Sequence, residues 1–129
     1  ALKAFKHLGL KNIAVLTPYP KDVNATVYDY LTNHNIGVES FSSFNLEYDS
    51  EIAQVSLESL EKEISKIDLS NVDGLFVSCT ALKIVDVLDR VESSQNTIVI
   101  SSNQAIIWDC LRSVGIDSKI KGYGKLFLN

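Results

Sequence analysis

The stretch Val-Asp-Gly-Leu-Phe-Val-Ser-Cys-Thr-Ala-Leu, residues 72–82, decides how this chain folds. Its short apolar run at residues 75–77 predicts a buried strand, which stops at the polar residues 78–80. Apolar side chains at helical spacing then predict a helix over residues 81–92. Cys79 is therefore expected at a strand-to-helix corner, where the free N–H groups of a helix N-terminus favour the thiolate form.

Three more apolar runs predict strands, at residues 12–16, 38–44 and 96–100. The predicted helices cover residues 1–8, 21–33, 51–55, 56–67 and 105–114. Alternating strands and helices indicate a parallel sheet with right-handed crossovers. We therefore expect an α/β fold with three layers, α/β/α, whose four-stranded parallel sheet has the strand order 2-1-3-4. The tail, residues 120–128, is expected to form a last strand or an arm.

Composition limits the classes of function. The chain has 129 residues, of which 46% are hydrophobic and 22% charged, as in an ordinary globular protein. We expect one domain over residues 1–129. The net charge of −4 and the lack of a basic cluster argue against a nucleic-acid partner. No apolar run approaches the roughly 20 residues that cross a bilayer, and no secretory leader is visible, so we expect no membrane partner and a cytoplasmic location.

The two cysteines are predicted to be free thiols, since their spacing matches neither a redox motif nor a metal site. Cys110 lies among apolar residues of a predicted helix, which is typical of a buried structural cysteine. Cys79, at a helix start between Ser78 and Thr80, suits a reactive thiol and a packed core thiol about equally well.

Polar residues follow three of the predicted strands and should meet at one edge of the sheet, where open α/β sheets bind ligands. Hydroxyls, amides and helix N-termini suit a carboxylate ligand, although Thr80 and Ser102 also fit as simple helix N-caps. Asn24 would either cap the second helix or point into the cleft. The residues at this edge are Thr17, Tyr19, Ser78, Cys79, Thr80, Ser101, Ser102 and Asn103.

Three motifs in this order resemble the aspartate/glutamate racemase superfamily, in its branch of maleate cis-trans isomerases, arylmalonate decarboxylases and ectoine-utilisation proteins. They are Thr17-Pro18-Tyr19 with Asn24, then residues 76–82, and residues 101–105 followed by Trp108, Leu111-Arg112 and Gly115. The resemblance covers the chain from about residue 10 to residue 124.

The resemblance implies two similar α/β halves with the active site between them and no cofactor. This chain resembles the C-terminal half, so the N-terminal half of the same enzyme is the implied partner, with association of half-chains into a homo-oligomer as an alternative. Cys79 matches the catalytic cysteine of the second half. Tyr19 and Asn24 match positions that contact the substrate carboxylate, and the backbone N–H of Thr80 helps to hold it.

We therefore expect a cofactor-independent isomerase, racemase or decarboxylase that acts on a small carboxylic acid at the carbon next to a carboxylate. The expected site is Cys79 as catalytic residue with Thr17, Tyr19, Asn24, Ser78, Thr80 and Asn103 as substrate-binding residues, and no metal. A non-catalytic domain that binds a small acid is the alternative. A receiver-like signalling domain ranks lower, because it needs an acidic cluster at the strand ends and the first strand ends in Thr17.

Overall fold

A computed structural model describes all residues, 1–129, and shows a parallel sheet with helices on both faces. The strands are β1 (Asn12–Thr17), β2 (Gly37–Ser43), β3 (Gly74–Val77) and β4 (Val99–Ser101). The helices are α1 (Leu2–Leu8), α2 (Lys21–Asn33), α3 (Asp49–Ile52), α4 (Leu57–Ile64), α5 (Leu88–Gln95) and α6 (Ser102–Ser113), with 3₁₀ helices at Ile84–Val87 and Lys125–Phe127. The strand order is β2-β1-β3-β4 with all pairs parallel, which confirms the predicted topology.

Side chains of β1, one of the two inner strands, alternate between two hydrophobic clusters, one on each face of the sheet. Ile13 and Val15 pack with residues of α1, α2, α6 and the C-terminal tail. Ala14 and Leu16 pack with residues of α3, α4 and α5. Both faces of β1 are therefore covered, which explains why its sequence is apolar throughout rather than alternating.

The helix predicted over residues 81–92 is wrong in its first half. Turns follow Cys79, a 3₁₀ helix spans Ile84–Val87, and α5 begins only at Leu88. Leu82 and Ile84 are both fully buried, although side chains two residues apart cannot share one face of an α-helix. A 3₁₀ turn also aligns Ile84 with Val87, three residues on, and so buries both.

The C-terminal tail forms no fifth strand, so that part of the prediction is wrong. Its 3₁₀ helix, Lys125–Phe127, buries Leu126 and Phe127 against α6 and β1. The Glu92 carboxylate accepts hydrogen bonds from the backbone N–H groups of Val99 and Lys125, both at 2.9 Å. Burial raises the pKa of this carboxyl, and the two N–H donors partly oppose the rise. Glu92 thus connects the tail to α5 and β4.

Cys110 is exposed, which corrects the expectation that it is a buried structural cysteine. It lies on α6 three residues before Ser113, whereas Trp108 and Ala105 of the same helix point into the core. Apolar neighbours in sequence do not imply burial on this helix, since Ile107 and Val114 are exposed as well. Both cysteines are free, as predicted. None of the helices is long and apolar enough to cross a bilayer.

Candidate active site

The predicted site residues gather at the carboxyl edge of β1, β3 and β4, which are neighbours in the sheet. Thr17 is the last residue of β1 and Ser78 follows β3 directly. Ser102 and Asn103 form the first turn of α6, immediately after β4. The phenol of Tyr19 lies against the side chains of Cys79 and Ser78. The β1–α2 loop therefore meets the loop that carries the thiol.

Cys79 has an unusual backbone conformation. Its φ is 118°, far inside the region that residues with a side chain rarely adopt. Such a conformation costs on the order of 1–3 kcal/mol, so the surroundings must hold it. The backbone N–H of Cys79 donates to Ser102 Oγ at 3.1 Å, and the N–H of Ala81 donates to Cys79 Sγ at 3.4 Å. The strained residue is thus fixed from α6 and from its own loop.

The helix predicted to begin directly after Cys79 does not begin there, since α5 starts only at Leu88, so the argument from the dipole of that helix is wrong. The helix N-terminus beside Cys79 is that of α6, whose Ser102 accepts the Cys79 N–H. Individual donors take the place of the dipole. The Ala81 N–H points at the sulfur, and the hydroxyl of Tyr19 lies beside it. The backbone N–H of Thr80 has no acceptor within the protein. The loop therefore presents N–H and O–H donors to whatever lies at the sulfur.

Tyr19 remains a neutral hydrogen-bond donor over the whole physiological range. Burial, reinforced by the neighbouring Cys79 side chain, raises the pKa of the Tyr19 phenol to about 12. An ionised sulfur would favour the protonated phenol further, because two negative charges would otherwise lie side by side. Tyr19 can thus donate its O–H either to the sulfur of Cys79 or to a ligand oxygen.

The amide of Asn24 is used mainly to shape the β1–α2 loop. Its Oδ1 accepts a hydrogen bond from the Thr17 hydroxyl, and its Nδ2 donates to the Tyr19 carbonyl at 2.8 Å. The Ser43 hydroxyl also donates to the Tyr19 carbonyl. One N–H of Asn24 remains for a ligand. Sequence reasoning missed Ser43, although its place at the polar end of β2, in register with Thr17, marks the same sheet edge.

The N-cap of α6 is Ser101, neither Ser102 nor Thr80. Its hydroxyl accepts from the backbone N–H of Gln104, and the Gln104 side chain accepts from the backbone N–H of Ser101, which completes a capping box. Thr80 caps no helix. Ser102 and Asn103 are thereby free to reach the neighbouring loop, and Asn103 Nδ2 donates to the Thr80 carbonyl at 2.9 Å.

The thiol of Cys79 is almost completely covered by the protein. Cys79 is only 8% exposed and packs against the core cluster on the α4–α5 face. None of the cavities in the structure is lined by Cys79 or Tyr19; the nearest, of about 300 Å³, includes Ser78 and Phe76 and lies beside α2. No three His, Cys, Asp or Glu side chains are grouped so as to hold a metal ion.

Comparison with known proteins identifies the family to which this fold and sequence belong. The sequence pattern of the family described as Arylmalonate decarboxylase matches residues 1–127. The chain belongs to the arylmalonate decarboxylase family. It is 28% identical, over an alignment of 135 residues, to the arylmalonate decarboxylase of Bordetella bronchiseptica, covering 98% of this chain and 54% of that protein.

Solved structures show the same fold. The maleate isomerase Iso from Pseudomonas putida superposes with a TM-score of 0.95 at 24% identity, covering 99% of this chain and 52% of that one. A cysteine-to-serine mutant of the Nocardia farcinica maleate cis-trans isomerase, with a covalently bound succinylcysteine intermediate, gives 0.94 at 20% identity, covering 98% and 52%. The chain spans about half the length of the curated relatives it matches.

The structure brings the predicted residues into two connected groups. Thr17, Asn24 and Tyr19 form one hydrogen-bonded group on the β1–α2 loop. Ser78, Cys79, Thr80 and Asn103 form the other, with Ser102 as an additional member. The contact of Tyr19 with Cys79 joins the two.

Proposed function

We propose that this chain carries the cysteine of a cofactor-independent enzyme that acts on a small dicarboxylic acid at the carbon next to a carboxylate. The observation that carries the proposal is the Cys79 sulfur, which accepts the Ala81 N–H at 3.4 Å and lies beside the Tyr19 phenol and the unpaired N–H of Thr80. A sulfur among N–H and O–H donors is suited to exchange a proton with carbon while the donors hold an adjacent carboxylate.

The step needs only groups that the site contains. In a decarboxylation, the bond between the α-carbon and one carboxyl group breaks, CO₂ leaves, and the electron pair remains as an enediolate on the other carboxylate. Cys79 Sγ then gives its proton to the α-carbon and takes up another from water. In a racemisation, the thiolate instead removes the α-proton and water returns a proton to the opposite face of the carbon. In an isomerisation, the thiolate adds to the double bond, the resulting single bond rotates, and the C–S bond breaks to release the thiolate and restore the double bond. Thr80 N–H and Tyr19 would stabilise the enediolate oxygens in each case.

The relatives support this class of reaction. They are named arylmalonate decarboxylase and maleate isomerase, and one structure of the latter kind holds a succinylcysteine intermediate. Both names denote chemistry on a dicarboxylic acid. We accordingly assign catalysis to Cys79 and substrate binding to Tyr19, Thr80, Asn24 and Asn103, with Thr17 and Ser78 shaping the two loops.

The second wall of the site is proposed to be another α/β unit of the same protein. This chain matches about half of each relative, and none of its own cavities is lined by Cys79 or Tyr19, so a substrate pocket at the thiol needs a further wall. A second copy of this chain is the alternative provider. Light scattering on the full-length protein and on residues 1–129 separates the two, since a stable dimer of the 129-residue chain would favour the second copy.

The test compares the two free cysteines in the full-length protein, with phenylmalonate and maleate as substrates. We expect Cys79→Ser to lower kcat/KM by at least about 10²-fold, as for loss of a general acid. Cys110→Ser is the matched control, because Cys110 is exposed on α6, and it should stay within threefold of wild type. Activity of Cys79→Ser within threefold of wild type would contradict the proposal.

A binding domain without catalysis is the second candidate, and one observation favours it: only 8% of Cys79 is exposed. On this reading Cys79 is a packed thiol, and the donors around it hold a small acid as a sensor does. Calorimetry with maleate and phenylmalonate on wild type and Cys79→Ser decides between the two. Equal binding by both proteins without turnover by either favours the binding domain.

A further inference from the structure

The strained conformation of Cys79 requires a cause, and the first turn of α6 supplies it. Ser102 Oγ accepts the N–H of Cys79 at 3.1 Å, and Asn103 Nδ2 donates to the carbonyl of Thr80 at 2.9 Å. These bonds hold both peptide groups that flank the Cys79–Thr80 segment, one from each adjacent residue of α6. Ser101 and Gln104 fix that turn in place through the capping box.

We propose that Ser102 and Asn103 are positioning residues that hold Cys79 at its positive φ and thereby keep its sulfur beside Tyr19. This inference rests on the proposed function, and it assigns to Ser102 a role additional to the candidate substrate contacts. The two residues together are termed the α6 clamp.

The hydrogen bonds favour the α6 clamp over two simpler roles, which are a helix cap for Ser102 and a substrate contact alone for Asn103. Ser102 is not the helix cap, since Ser101 fills that role. Asn103 already spends one amide hydrogen on Thr80, so its position is set by the protein before any ligand arrives. Without the Ser102 oxygen the N–H of Cys79 would lose its acceptor, and the backbone would relax toward the negative φ that residues with a side chain prefer.

The experiment uses Ser102→Ala, with Ser102→Thr as rescue because threonine keeps the hydroxyl. Ser113→Ala is the matched control: it removes a hydroxyl from the last residue of the same helix, far from Cys79. All variants carry Cys110→Ser, so that iodoacetamide labels Cys79 alone. Amide hydrogen exchange at Cys79, the rate of labelling, kcat and KM are measured in the full-length protein.

We expect Ser102→Ala to speed amide exchange at Cys79 at least tenfold and labelling at least fivefold, because the loop opens. It should lower kcat by about 10–100-fold and leave KM within threefold, as expected when a reacting group is misplaced. Ser102→Thr should return all four values to within threefold of the parent, and Ser113→Ala should change none. Asn103→Asp loses the N–H group that donates to the Thr80 carbonyl, so it should also speed amide exchange and labelling at Cys79. This variant replaces Ser102→Ala in the test if Ser102→Ala does not fold.

Exchange and labelling in Ser102→Ala equal to those in Ser113→Ala would overturn the inference. So would a rise in KM with unchanged kcat, which would place the Ser102 hydroxyl on the substrate instead. The two physical readouts need no turnover. If the parent protein converts no acid at all, the proposed function fails, while exchange and labelling still decide whether the clamp holds Cys79.

Discussion

At the scale of single residues, the site depends on two loops that meet at one sulfur. Tyr19 reaches Cys79 from the β1–α2 loop, and Ser102 reaches it from α6. The sequence predicted that these residues share an edge, since the carboxyl ends of parallel strands coincide. It did not predict the φ of 118° at Cys79 or the bond to Ser102, because both depend on how a β4–α6 turn packs against another loop.

Tyr19→Phe tests the phenol as a donor. The ring is retained, so the fold should stay intact, while kcat/KM on the substrate acid should fall about 10–100-fold with the loss of one hydrogen bond to the reacting groups. Tyr28→Phe, on the exposed face of α2, is the control and should have no effect. Steady-state kinetics measure kcat/KM, and thermal unfolding measures the stability of the fold. An active Tyr19→Phe enzyme would remove Tyr19 from the mechanism.

The raised pKa of Tyr19 predicts a dependence of stability on pH. Because the folded value, about 12, exceeds the ordinary value of 10.0, the neutral phenol stabilises the fold fully below pH 10. This contribution is lost as the pH rises from 10 toward 12. Urea unfolding at pH 9 and at pH 11 measures this, and the free energy of unfolding should fall more between the two pH values for wild type than for Tyr19→Phe. Equal losses would show that the phenol titrates normally.

Asn24 is predicted to act chiefly through the Tyr19 loop. Asn24→Ala removes the acceptor of the Thr17 hydroxyl and a donor to the Tyr19 carbonyl, and it should lower the free energy of unfolding by about 1–3 kcal/mol. Asn33→Ala, at the exposed end of the same helix, is the control. Urea titration gives both values. An Asn24→Ala protein as stable as the Asn33→Ala protein would contradict the assignment.

At the scale of elements, the sequence predicted the sheet and most helices, and it failed where burial overrides periodicity. The boundaries of α2 and the αL cap of α1 at Gly9 follow directly from apolar spacing and glycine chemistry. The segment 81–87 has the apolar content of a helix but buries residues two apart, which a turn and a 3₁₀ helix accommodate. The tail resembles a strand in sequence, yet it buries two consecutive residues, Leu126 and Phe127, in one hydrophobic cluster, whereas consecutive side chains of a strand point to opposite faces.

Glu92 is predicted to hold the tail in place. Glu92→Ala leaves the N–H groups of Val99 and Lys125 without an acceptor in a buried setting, which should lower the free energy of unfolding by about 2–4 kcal/mol. Amide hydrogen exchange at Leu126 and Phe127 should also become faster in Glu92→Ala. Glu47→Ala, in an exposed loop, is the control and should change stability by less than about 0.5 kcal/mol. Unchanged exchange in the tail would contradict the role of Glu92.

At the scale of the whole molecule, this chain is one α/β unit of a family whose members are about twice its length. The strand order puts the loops after β1 and β3 side by side, which is why a phenol and a thiol far apart in sequence meet. Fold and family were predictable because strand polarity and three short motifs suffice for them. The reaction was not, since one thiol among hydrogen-bond donors fits decarboxylation and isomerisation equally well.

The most direct measurement is protection of the thiol by a substrate-like acid in the full-length protein. Iodoacetamide labelling of Cys79 and Cys110 is followed together by mass spectrometry, with and without saturating phenylmalonate or maleate. We predict that one of the two acids slows labelling of Cys79 at least fivefold and leaves Cys110, exposed on α6, unchanged. Labelling of Cys79 at the same rate with and without either acid would contradict the claim that its sulfur faces the substrate.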